Sequence, residues 1–411
     1  MPFSKLGLAP SLCEPLARMG YRTPTPVQIA AIPHVLTGAD LLARAQTGTG
    51  KTAAFGLPMI ERLLLRGRRP RNRRPLGLVL VPTRELAAQV HRALAKYGAP
   101  AQLRVTQIIG GVPMGPQVRA LQQGADIVVA TPGRLIDHLD RRTIDLSAIE
   151  ILTLDEADRM LDMGFLPPLR RVLPMLPRTR QTLLFSATLS TAVVRLSAEF
   201  TREPLRVDVS DGDAVPPTVT HRVHPVALDR KRDLLLHVVR QAPAGQALVF
   251  CRTKRGADRV GKHLASARLS VGVIHGNKSQ GARSRALADF TAGRSAVLVA
   301  TDIAARGLDI PQLPLVVNYD LPLVAEDYIH RVGRTGRAGL AGRAVSLVTA
   351  SDSQLLRDIQ RLLPAPLEQV VVEGFEKMDA RESNWSRPER ATTQRGQDRR
   401  SPRAPRPAVR A

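Results

Sequence analysis

The sequence predicts an α/β protein with two tandem parallel-sheet domains, joined by a short linker and followed by a disordered basic C-terminal tail. Two sets of short apolar runs alternate with helical patterns, which is typical of parallel strands covered on both faces. Between the sets, residues 208–217 are polar and contain two prolines and a glycine, the composition of an interdomain linker. From residue 379 to 411, Arg, Pro and Ser replace apolar residues, so this tail is expected to be disordered.

The elements are expected in the following order. Residues 1–31 form a helical lead-in segment, in which Pro24 and Pro26 force an extended turn before the next helix. The first sheet domain is expected at 32–207, with strands at 41–43, 76–81, 105–109, 127–130, 149–154 and 182–185. The second is expected at 218–378, with strands at 247–250, 271–274, 296–300, 315–317 and 344–348. No sequence repeat relates the two sets.

Polar clusters follow directly after several of the predicted strands. Examples are the residues from Thr83, from Thr131, from Asp155 and from Ser186. The carboxyl ends of the strands are where open α/β sheets bind their ligands, so we expect the functional site along this edge.

The chain is strongly basic, and this charge favours a polyanion as a partner. Its 411 residues carry a formal net charge of +24. Arg greatly outnumbers Lys, and guanidinium groups suit bidentate phosphate contacts. A GC-rich genome also produces Arg-, Ala- and Pro-rich usage, and both explanations remain open. The tail and a second basic cluster at 66–74 are either arms for a polyanion or solvated surface.

Cysteine content and hydropathy restrict the class of protein. Cys13 and Cys251 are far apart and lack the spacing of metal ligands, so neither a disulfide framework nor a zinc site is indicated. No targeting segment is visible, and no apolar run approaches the length of a membrane span. We therefore expect a cytoplasmic protein without a membrane partner.

One stretch has the build of a phosphate-binding loop between a strand and a helix. It consists of Ala45, Gln46, Thr47, Gly48, Thr49, Gly50, Lys51 and Thr52. The glycines let backbone N–H groups turn towards phosphate oxygens. Lys51 is expected to reach the β and γ phosphates, and Thr52 to ligate Mg²⁺. Because Ala45 stands where the general pattern has glycine, the stretch alone also fits a glycine-rich turn before an ordinary helix.

A pair of carboxylates, Asp155 and Glu156, closes an apolar strand. A phosphate-loop enzyme needs its second Mg²⁺ ligand at such a position, so Asp155 would hold the metal and Glu156 would polarise the attacking water. Two surface carboxylates capping a helix are the alternative for the dipeptide alone. Beside the phosphate loop, the pair favours hydrolysis of a nucleoside triphosphate.

Asp155 to Asp158 spells the signature of the DEAD-box ATP-dependent RNA helicases, and the span from residue 3 to about 342 resembles that family. Two parts, 155–165 and 248–339, are most similar to the bacterial RhlE-like branch. Single motifs range from weak, as at 186–188, to strong, as at 330–339, but their joint order and spacing is highly specific. The resemblance implies that both sheet domains are RecA-like.

The resemblance also implies an adenine pocket. In it Gln28 reads the adenine edge, Tyr21 packs on the base and Phe3 supports the pocket. A side-chain amide can pair with both the donor and the acceptor of adenine, so ATP should be preferred over GTP. Without its neighbours, Gln28 would be an ordinary polar residue at a helix start. Asp309 resembles the family residue that holds the ribose.

Two further groups come from the resemblance. Ser186 and Thr188 would couple hydrolysis to strand opening through Asp158 and His330. Arg334 and Arg337 would act on the γ-phosphate; they would share one face if their segment is helical. An arginine supplied by another domain stabilises charge in the phosphoryl transition state. Taken alone, the motif is better explained as a basic helix touching solvent or RNA; opposite an intact Mg²⁺ site, the role at the γ-phosphate is preferred.

The RNA-binding residues implied by the resemblance are small, hydroxyl-bearing or basic, as contacts to phosphate and sugar require. They are Thr83, Arg84, Gly110, Gly111, Thr131, Arg134, Arg252, Gln280, Arg283, Thr301 and Asp302. Aromatic residues make up only 3% of the chain, so stacking platforms for bases are scarce and we expect binding without sequence preference.

The sequence thus predicts an ATP-dependent RNA helicase, an RNA-stimulated ATPase that uses ATP and Mg²⁺ and separates short duplexes while its two domains close on one strand. RNA is the expected partner, together with ribosome-assembly or RNA-decay proteins. The alternative is an ATP-gated RNA clamp or assembly scaffold with little unwinding. A DNA helicase is disfavoured by the combination of Gln28 with Asp155 to Asp158.

Overall fold

The computed structural model describes residues 2–46, 48–65, 74–209, 219–242, 245–305, 310, 313–336, 341–363 and 365–376. Several predictions fall elsewhere. Thr47, Asp309 and Arg337 lie outside the described residues, as do the predicted tail, most of the predicted linker and most of the basic cluster at 66–74.

The first sheet domain follows two lead-in helices, α1 (Pro10–Arg18) and α2 (Pro26–Thr37). Its strands are β1 (Leu41–Arg44), β2 (Gly77–Leu80), β3 (Val105–Ile108), β4 (Ile127–Ala130), β5 (Ile151–Leu154), β6 (Gln181–Ser186) and β7 (Leu205–Asp208). Its helices are α3 (Lys51–Leu65), α4 (Arg84–Gly98), α5 (Met114–Gln122), α6 (Pro132–Asp140), α7 (Ala157–Asp162), α8 (Leu166–Val172) and α9 (Thr191–Phe200).

The second sheet domain has the same kind of alternation. Its strands are β8 (Val219–Pro225), β9 (Ala247–Phe250), β10 (Val271–Ile274), β11 (Val297–Ala300), β12 (Leu315–Asn318), β13 (Gly342–Val348) and β14 (Glu368–Gln369). Its helices are α10 (Lys231–Arg240), α11 (Lys254–Ser266), α12 (Gln280–Thr291), α13 (Asp302–Ala305), α14 (Glu326–Val332) and α15 (Ser353–Leu362).

The two sheets share one topology. Each has seven parallel strands, in the orders β3-β4-β2-β5-β6-β1-β7 and β10-β11-β9-β12-β13-β8-β14. Renumbered from its own first strand, the second order is identical to the first. The predicted fold class of two RecA-like domains is therefore confirmed. The repeat is visible in topology but not in sequence, because a parallel sheet requires buried apolar strands rather than particular residues.

Both faces of each sheet are covered, which explains why the strands are continuously apolar. Along β1, Leu41 and Ala43 pack into one core while Leu42 packs into the core on the opposite face. In β9, Val249 and Leu248 divide in the same way. No helix within the described residues has both the length and the apolar character needed to cross a bilayer.

Three strands were missed by the sequence patterns: β7, β8 and β14. The strands β7 and β14 lie at sheet edges, and β7 has only Val207 buried. β8 mixes buried with exposed positions and contains two histidines. Without a continuous apolar run, these segments give no strand signal. Asp208, the first residue of the predicted linker, is the last residue of β7.

Candidate active site

The phosphate loop connects β1 to α3, as its sequence predicts. The backbone of Ala45 donates a hydrogen bond to the Ser186 carbonyl at 3.0 Å, and Thr49 Oγ1 donates to the Gln46 carbonyl at 2.7 Å. Gly48 and Gly50 have φ values of 89° and 92°, in the left-handed region that favours glycine. The loop therefore turns immediately before α3, so that the free N–H groups of the helix start are presented to a ligand.

Lys51 begins α3 and is only 6% exposed. Its Nζ is buried and has no hydrogen-bond partner among the described residues. A buried ammonium without a partner is costly, so such a group requires an anion that the protein itself does not supply. A phosphate oxygen is one anion that fits this position, so the geometry is compatible with the predicted triphosphate site.

Gln28 lies in the first turn of α2 and is held by both ends of its amide. Its Oε1 accepts from the Thr25 backbone at 2.9 Å, and its Nε2 donates to the Gly50 carbonyl at 3.1 Å. A Cβ at Gly50 would lie 2.4 Å from Nε2, so only glycine permits this approach. One N–H and one lone pair of the amide remain for a ligand. Gln28 lies beside the phosphate loop, and its contact with adenine stays a prediction.

Tyr21 lies just before this segment and is half-buried. The buried ring of Phe3 meets it edge-on, with centroids 6.5 Å apart and planes at 77°. Edge-to-face contacts of this kind hold an aromatic ring in a defined orientation. Phe3 thus contacts the ring of Tyr21, whereas the predicted roles of both residues in nucleotide binding stay predictions.

Asp155 and Glu156 follow β5 and are 2% and 3% exposed. Burial raises the pKa of Asp155 to about 6; nearby Lys51 opposes the increase, and Glu156 adds to it. Glu156 has φ 55° and ψ 51°, a left-handed conformation that is unusual for a residue with a side chain. Its Oε2 lies 3.6 Å from Arg159 Nε and is buried without a hydrogen bond among the described residues. The site therefore holds an acceptor that is free to bind a water molecule.

We expect Asp155→Asn to raise the thermal stability of the nucleotide-free protein at pH 7.5. The folded-state pKa of about 6 lies above the ordinary 3.8, so the wild-type carboxyl destabilises the fold progressively as pH rises from about 4 to about 6. Asn stays neutral, and its advantage at pH 7.5 is on the order of 2–3 kcal/mol. Melting temperatures at pH 7.5 and pH 4.5 measure the effect. The gain should shrink at the lower pH; an equal gain at both values would contradict this origin.

The strand end after β6 contacts the Asp155–Asp158 segment. Asp158 Oδ2 accepts from the backbone N–H of Ala187 at 3.2 Å, and Ser186 Oγ accepts from the Thr188 backbone at 3.4 Å. Asp158 thus contacts the 186–188 motif through the backbone of its middle residue, whereas the coupling of hydrolysis to strand opening stays a prediction. The prediction that His330 joins this contact remains a prediction.

The arginine motif of the second domain is helical only in its first residues. Helix α14 ends at Val332, and Arg334 lies beyond it in a turn closed by the bridge between Leu313 and Thr335. Arg334 is therefore not helical, so the condition for a helical face shared with Arg337 is not met at this residue. Gly333 ends the helix, and the backbone of Arg334 then accepts from Leu313 at 3.2 Å.

Arg331, which sequence reasoning did not single out, organises this motif. It is 2% exposed, binds both carboxylate oxygens of Asp302 at 2.6 and 2.7 Å, and donates to Asn318 Oδ1 at 2.9 Å. Its guanidinium also lies 4.9 Å from the Phe250 ring centroid. Asp302, a predicted RNA contact, is thereby held by Arg331. The signal available in the sequence was the position of Arg331 inside the 330–337 motif.

The two domains meet beside these residues. Arg159 of α7 lines a small cleft together with His330, Arg331 and Arg334. Because Arg159 also lies beside Glu156, the arginine motif of the second domain approaches the carboxylates of the first. This is the arrangement in which an arginine from one domain can act on a phosphate held by the other.

The predicted RNA residues of the first domain lie at helix starts and turns along the carboxyl edge of the sheet. Thr83 caps α4, with Oγ1 accepting from Leu86 N at 3.2 Å, and Thr131 is the cap residue of α6. Arg134 donates to the Val112 carbonyl at 3.0 Å. Helix N-termini present N–H groups to phosphates, so the placement suits a nucleic-acid backbone.

Gly110 and Gly111 follow β3 and pack against Arg84. A Cβ at Gly111, where φ is 74°, would lie 1.9 Å from Arg84 Nη1. Gln117, a residue that the sequence reasoning missed, fixes this turn: its amide exchanges hydrogen bonds with the backbone N–H and carbonyl of Ile109 at 3.0 and 3.2 Å. The close approach of a guanidinium to backbone is possible only because the turn carries no side chain.

Glu85 connects this edge to the second domain. Its carboxylate accepts from Gln280 Nε2 at 2.9 Å and pairs with Arg283 at 2.8 Å, and Arg84 donates to Gln280 Oε1 at 3.4 Å. Glu85 and Arg283 are 6% and 11% exposed in their side chains. Removal of either partner from such a buried pair would be strongly destabilising, because the other charge would stay buried and uncompensated. Predicted RNA residues of both domains are thus brought together, through a residue that no motif singled out.

The remaining predicted contacts lie at strand ends of the second domain. Arg252 follows β9 and donates to the Leu321 carbonyl at 3.3 Å and to Asp352 at 3.5 Å. Thr301 follows β11 and is 7% exposed. Cys13 and Cys251 are free thiols. No group of three His, Cys, Asp or Glu suited to a metal occurs in the described part of the chain.

Comparisons with known proteins agree with this architecture. The DEAD/DEAH box helicase family model matches residues 25–196, and the helicase conserved C-terminal domain model matches residues 230–339. The DEAD-box ATP-dependent RNA helicase CshA of Bacillus cereus (strain ATCC 10987 / NRS 248) is 40% identical over 385 residues, which cover 92% of this chain and 72% of that protein. DEAD-box ATP-dependent RNA helicase 30 of Arabidopsis thaliana is 41% identical over 363 residues, covering 88% of this chain and 61% of that protein.

A solved structure is also similar: S. cerevisiae Dbp5 bound to RNA and ADP BeF3, with a TM-score of 0.81 and 32% sequence identity, covers 90% of this chain and 95% of its own. The chain spans about 60% of the length of several curated relatives that it matches. The similarity extends through both sheet domains and includes the phosphate loop and the Asp155–Asp158 segment. The chain belongs to the DEAD-box ATP-dependent RNA helicase family.

Proposed function

We propose that this protein is an ATP-dependent RNA helicase, an RNA-stimulated ATPase that binds RNA through its backbone and locally separates short duplexes. The observation that carries the proposal is a pair of buried charged atoms at the carboxyl edge of one sheet, Lys51 Nζ and Glu156 Oε2. Neither has a hydrogen bond within the described residues, although Arg159 Nε lies 3.6 Å from Oε2. A folded protein leaves such atoms without partners where a ligand supplies them. A triphosphate and an attacking water molecule fit this pair.

The residues of the first domain would bind and orient ATP. Lys51 takes the β and γ phosphates together with backbone N–H groups from Gly48 to Thr52, and Thr47 belongs to the same loop. Gln28 pairs with the adenine edge and Tyr21 packs on the base, supported by Phe3. Asp309 would hold the ribose.

Glu156 would accept the proton of the attacking water, because its Oε2 is buried and makes no hydrogen bond with any residue that the structure describes. Thr52 and Asp155 are the residues that would hold Mg²⁺, which commonly binds through few protein ligands and through substrate phosphates. The ion would supply charge neutralisation at the transferring phosphate. Arg334 and Arg337 would stabilise the charge that develops in the transition state, supplied from the second domain.

RNA would be bound along the edge shared by both domains, where Thr83 and Arg84 lie near Gln280 and Arg283. Dbp5, a similar protein, has been solved bound to RNA. Closure of the domains completes both the ATP site and this edge, so ATP binding favours the RNA-bound state and hydrolysis releases the strand. Asp158 on the Ala187 backbone, with Ser186, Thr188 and His330, would transmit the state of the ATP site.

Finer assignments belong to the same proposal. We place the chain in the bacterial RhlE-like branch, in the cytoplasm, with ribosome-assembly or RNA-decay proteins as partners. The domain bounds that we propose are an adenine-recognition segment at 1–31, sheet domains at 32–207 and 218–378, a linker at 208–217 and an Arg-rich tail at 379–411. The mixed DEAD-box relatives support the family that contains this branch.

Steady-state ATP hydrolysis with and without generic single-stranded RNA, at low and moderate salt, tests the proposal. Strong stimulation by RNAs of unrelated sequence is expected. Unwinding of matched short RNA and DNA duplexes in the same experiment separates an RNA helicase from a DNA helicase. ATP-dependent RNA binding with little stimulation and little unwinding would overturn the proposal in favour of a clamp or scaffold.

We expect Gly111→Ala to weaken RNA binding while leaving basal ATP hydrolysis nearly unchanged. The added methyl group overlaps the Arg84 guanidinium and forces a left-handed backbone on alanine, at a cost of about 1–2 kcal/mol. We expect the free variant to relieve this strain by moving the turn and Arg84, so that RNA binding must restore the strained geometry; the same cost then corresponds to roughly a five- to thirtyfold increase in the Kd for single-stranded RNA. Gly115→Ala in α5 is the matched control, because its Cβ meets only the end of Arg119 at 3.7 Å. Equal affinities for the two variants would contradict the assignment of this turn.

A further inference from the structure

Tyr21 is held by a second ring besides Phe3. Tyr97, near the end of α4, meets Tyr21 edge-on with centroids 5.7 Å apart and planes at 81°. The two hydroxyl oxygens are 2.7 Å apart and form a hydrogen bond. The Tyr21 ring is therefore held by two other aromatic rings, those of Phe3 and Tyr97.

The hydroxyl bond is the polar part of an otherwise apolar contact. Tyr97 is 3% exposed, and within the described residues its hydroxyl bonds only to that of Tyr21. Burial and the Tyr21 hydroxyl raise the pKa of Tyr97 far above its usual value, so Tyr97 keeps its hydroxyl proton, and one of the two hydroxyl groups donates to the other. A tyrosine hydroxyl buried in a core usually has a partner, and here that partner is the ring proposed to pack on the base.

Helix α4, which carries Tyr97, is packed tightly against α3. Leu94 of α4 packs so tightly on α3 that a Cβ at Gly56 would lie 2.4 Å from its Cδ2. Helix α3 begins at Lys51, so Tyr97 is tied to the same packed pair of helices that presents the phosphate loop. The Tyr97 hydroxyl thus sets the Tyr21 ring relative to the phosphate site, beyond what filling of the core requires.

We propose that Tyr97 is a positioning residue for recognition of the nucleotide base, acting through its hydroxyl bond to Tyr21. This rests on the proposed function, because it assumes that Tyr21 packs on adenine. In this role Tyr97 does not contact the nucleotide. It restricts the Tyr21 ring before the base binds, so that less conformational entropy is lost on binding. Tyr97 should therefore increase the affinity for the base and leave the affinity for the phosphates unchanged.

The test measures equilibrium binding by calorimetry to the full chain, with two probes: ATP, and inorganic tripolyphosphate, which has no base. Tyr97→Phe keeps the ring and removes the hydroxyl, and Tyr21→Phe removes the same bond from the other side. We expect each variant to raise the Kd for ATP about two- to tenfold, the range for a neutral hydrogen bond. The Kd for tripolyphosphate should stay as in the wild type.

The double variant Tyr21→Phe/Tyr97→Phe should bind ATP no more weakly than the single variants, because all three lack one bond. Tyr319→Phe, which alters a half-buried tyrosine of the second domain, is the matched control and should bind both probes normally. An unchanged Kd for ATP in Tyr97→Phe overturns the inference. So does equal weakening of both probes, which would show a general loss of structure.

Failure of the proposed function would look different. A wild-type protein that binds ATP but shows no RNA-stimulated turnover refutes the helicase and leaves the binding comparison able to decide about Tyr97. A wild-type protein that hydrolyses ATP with RNA, beside a Tyr97→Phe variant with normal ATP affinity, refutes only the inference.

Discussion

Glu156→Gln is expected to reduce RNA-stimulated ATP turnover by about 10²–10⁴-fold while the affinity for ATP is retained. This factor is the typical contribution of a general base to the rate. Gln keeps the size of the side chain but cannot accept the proton of the attacking water. The left-handed backbone at Glu156, and an Oε2 that has no hydrogen bond among the described residues, support this role for the carboxylate. Steady-state hydrolysis at saturating RNA gives the turnover, and calorimetry with ATP gives the affinity.

The matched control is Glu61→Gln, the same change at another buried glutamate of the first domain. Glu61 accepts a hydrogen bond from the Ala9 backbone at 3.1 Å, and the amide oxygen of Gln can accept it as well. Normal turnover is expected there. A Glu156→Gln variant that hydrolyses ATP at the wild-type rate would refute the proposed general base, whatever its RNA affinity.

Lys51→Ala is expected to lose both ATP affinity and turnover. Removal of a preorganised charge at a reacting phosphate costs about 10²–10³ in rate, and binding of the triphosphate is weakened in addition. A second effect acts through Asp155: Lys51 lowers the pKa of this carboxyl, so its removal favours the protonated form, which cannot hold Mg²⁺. Calorimetry with ATP and a hydrolysis series in Mg²⁺ measure the two losses.

The control for this variant is Lys96→Ala on the exposed face of α4, which removes an equal charge from the same domain. It should bind and hydrolyse ATP like the wild type. Wild-type ATP affinity in Lys51→Ala would mean that the unsatisfied Nζ serves another group, and the phosphate loop would then have to be reassigned.

Local sequence was sufficient for several parts of the site. Gly48, Gly50 and Lys51 are adjacent, and their backbone requirements and charge act within one turn. Asp155 and Glu156 follow a strand that is apolar throughout, so their position at the carboxyl edge follows from the parallel sheet. These predictions agree with the geometry because each depends on interactions within about ten residues.

The contacts that connect distant parts of the chain were missed. Glu85 pairs with Gln280 across 195 positions, Arg331 binds Asp302 across 29, and Tyr97 reaches Tyr21 across 76. None of these partners is marked by periodicity, since one side chain on a helix does not reveal what approaches it. The backbone around Arg334 also depends on a distant contact, because Leu313 donates to the Arg334 carbonyl and forms a bridge with Thr335 beyond the end of α14.

The amino-acid sequence by itself determined the fold class, the phosphate loop and the carboxylate pair, because alternation of apolar segments and glycine backbone freedom are short-range properties. Only the tertiary structure decided that both sheets have one strand order, that Glu85 joins the two domains, and that Tyr97 holds Tyr21. Those features depend on which segments meet in space. Burial then decides their strength, because hydrogen bonds and ion pairs that are weak in water become specific once water is excluded.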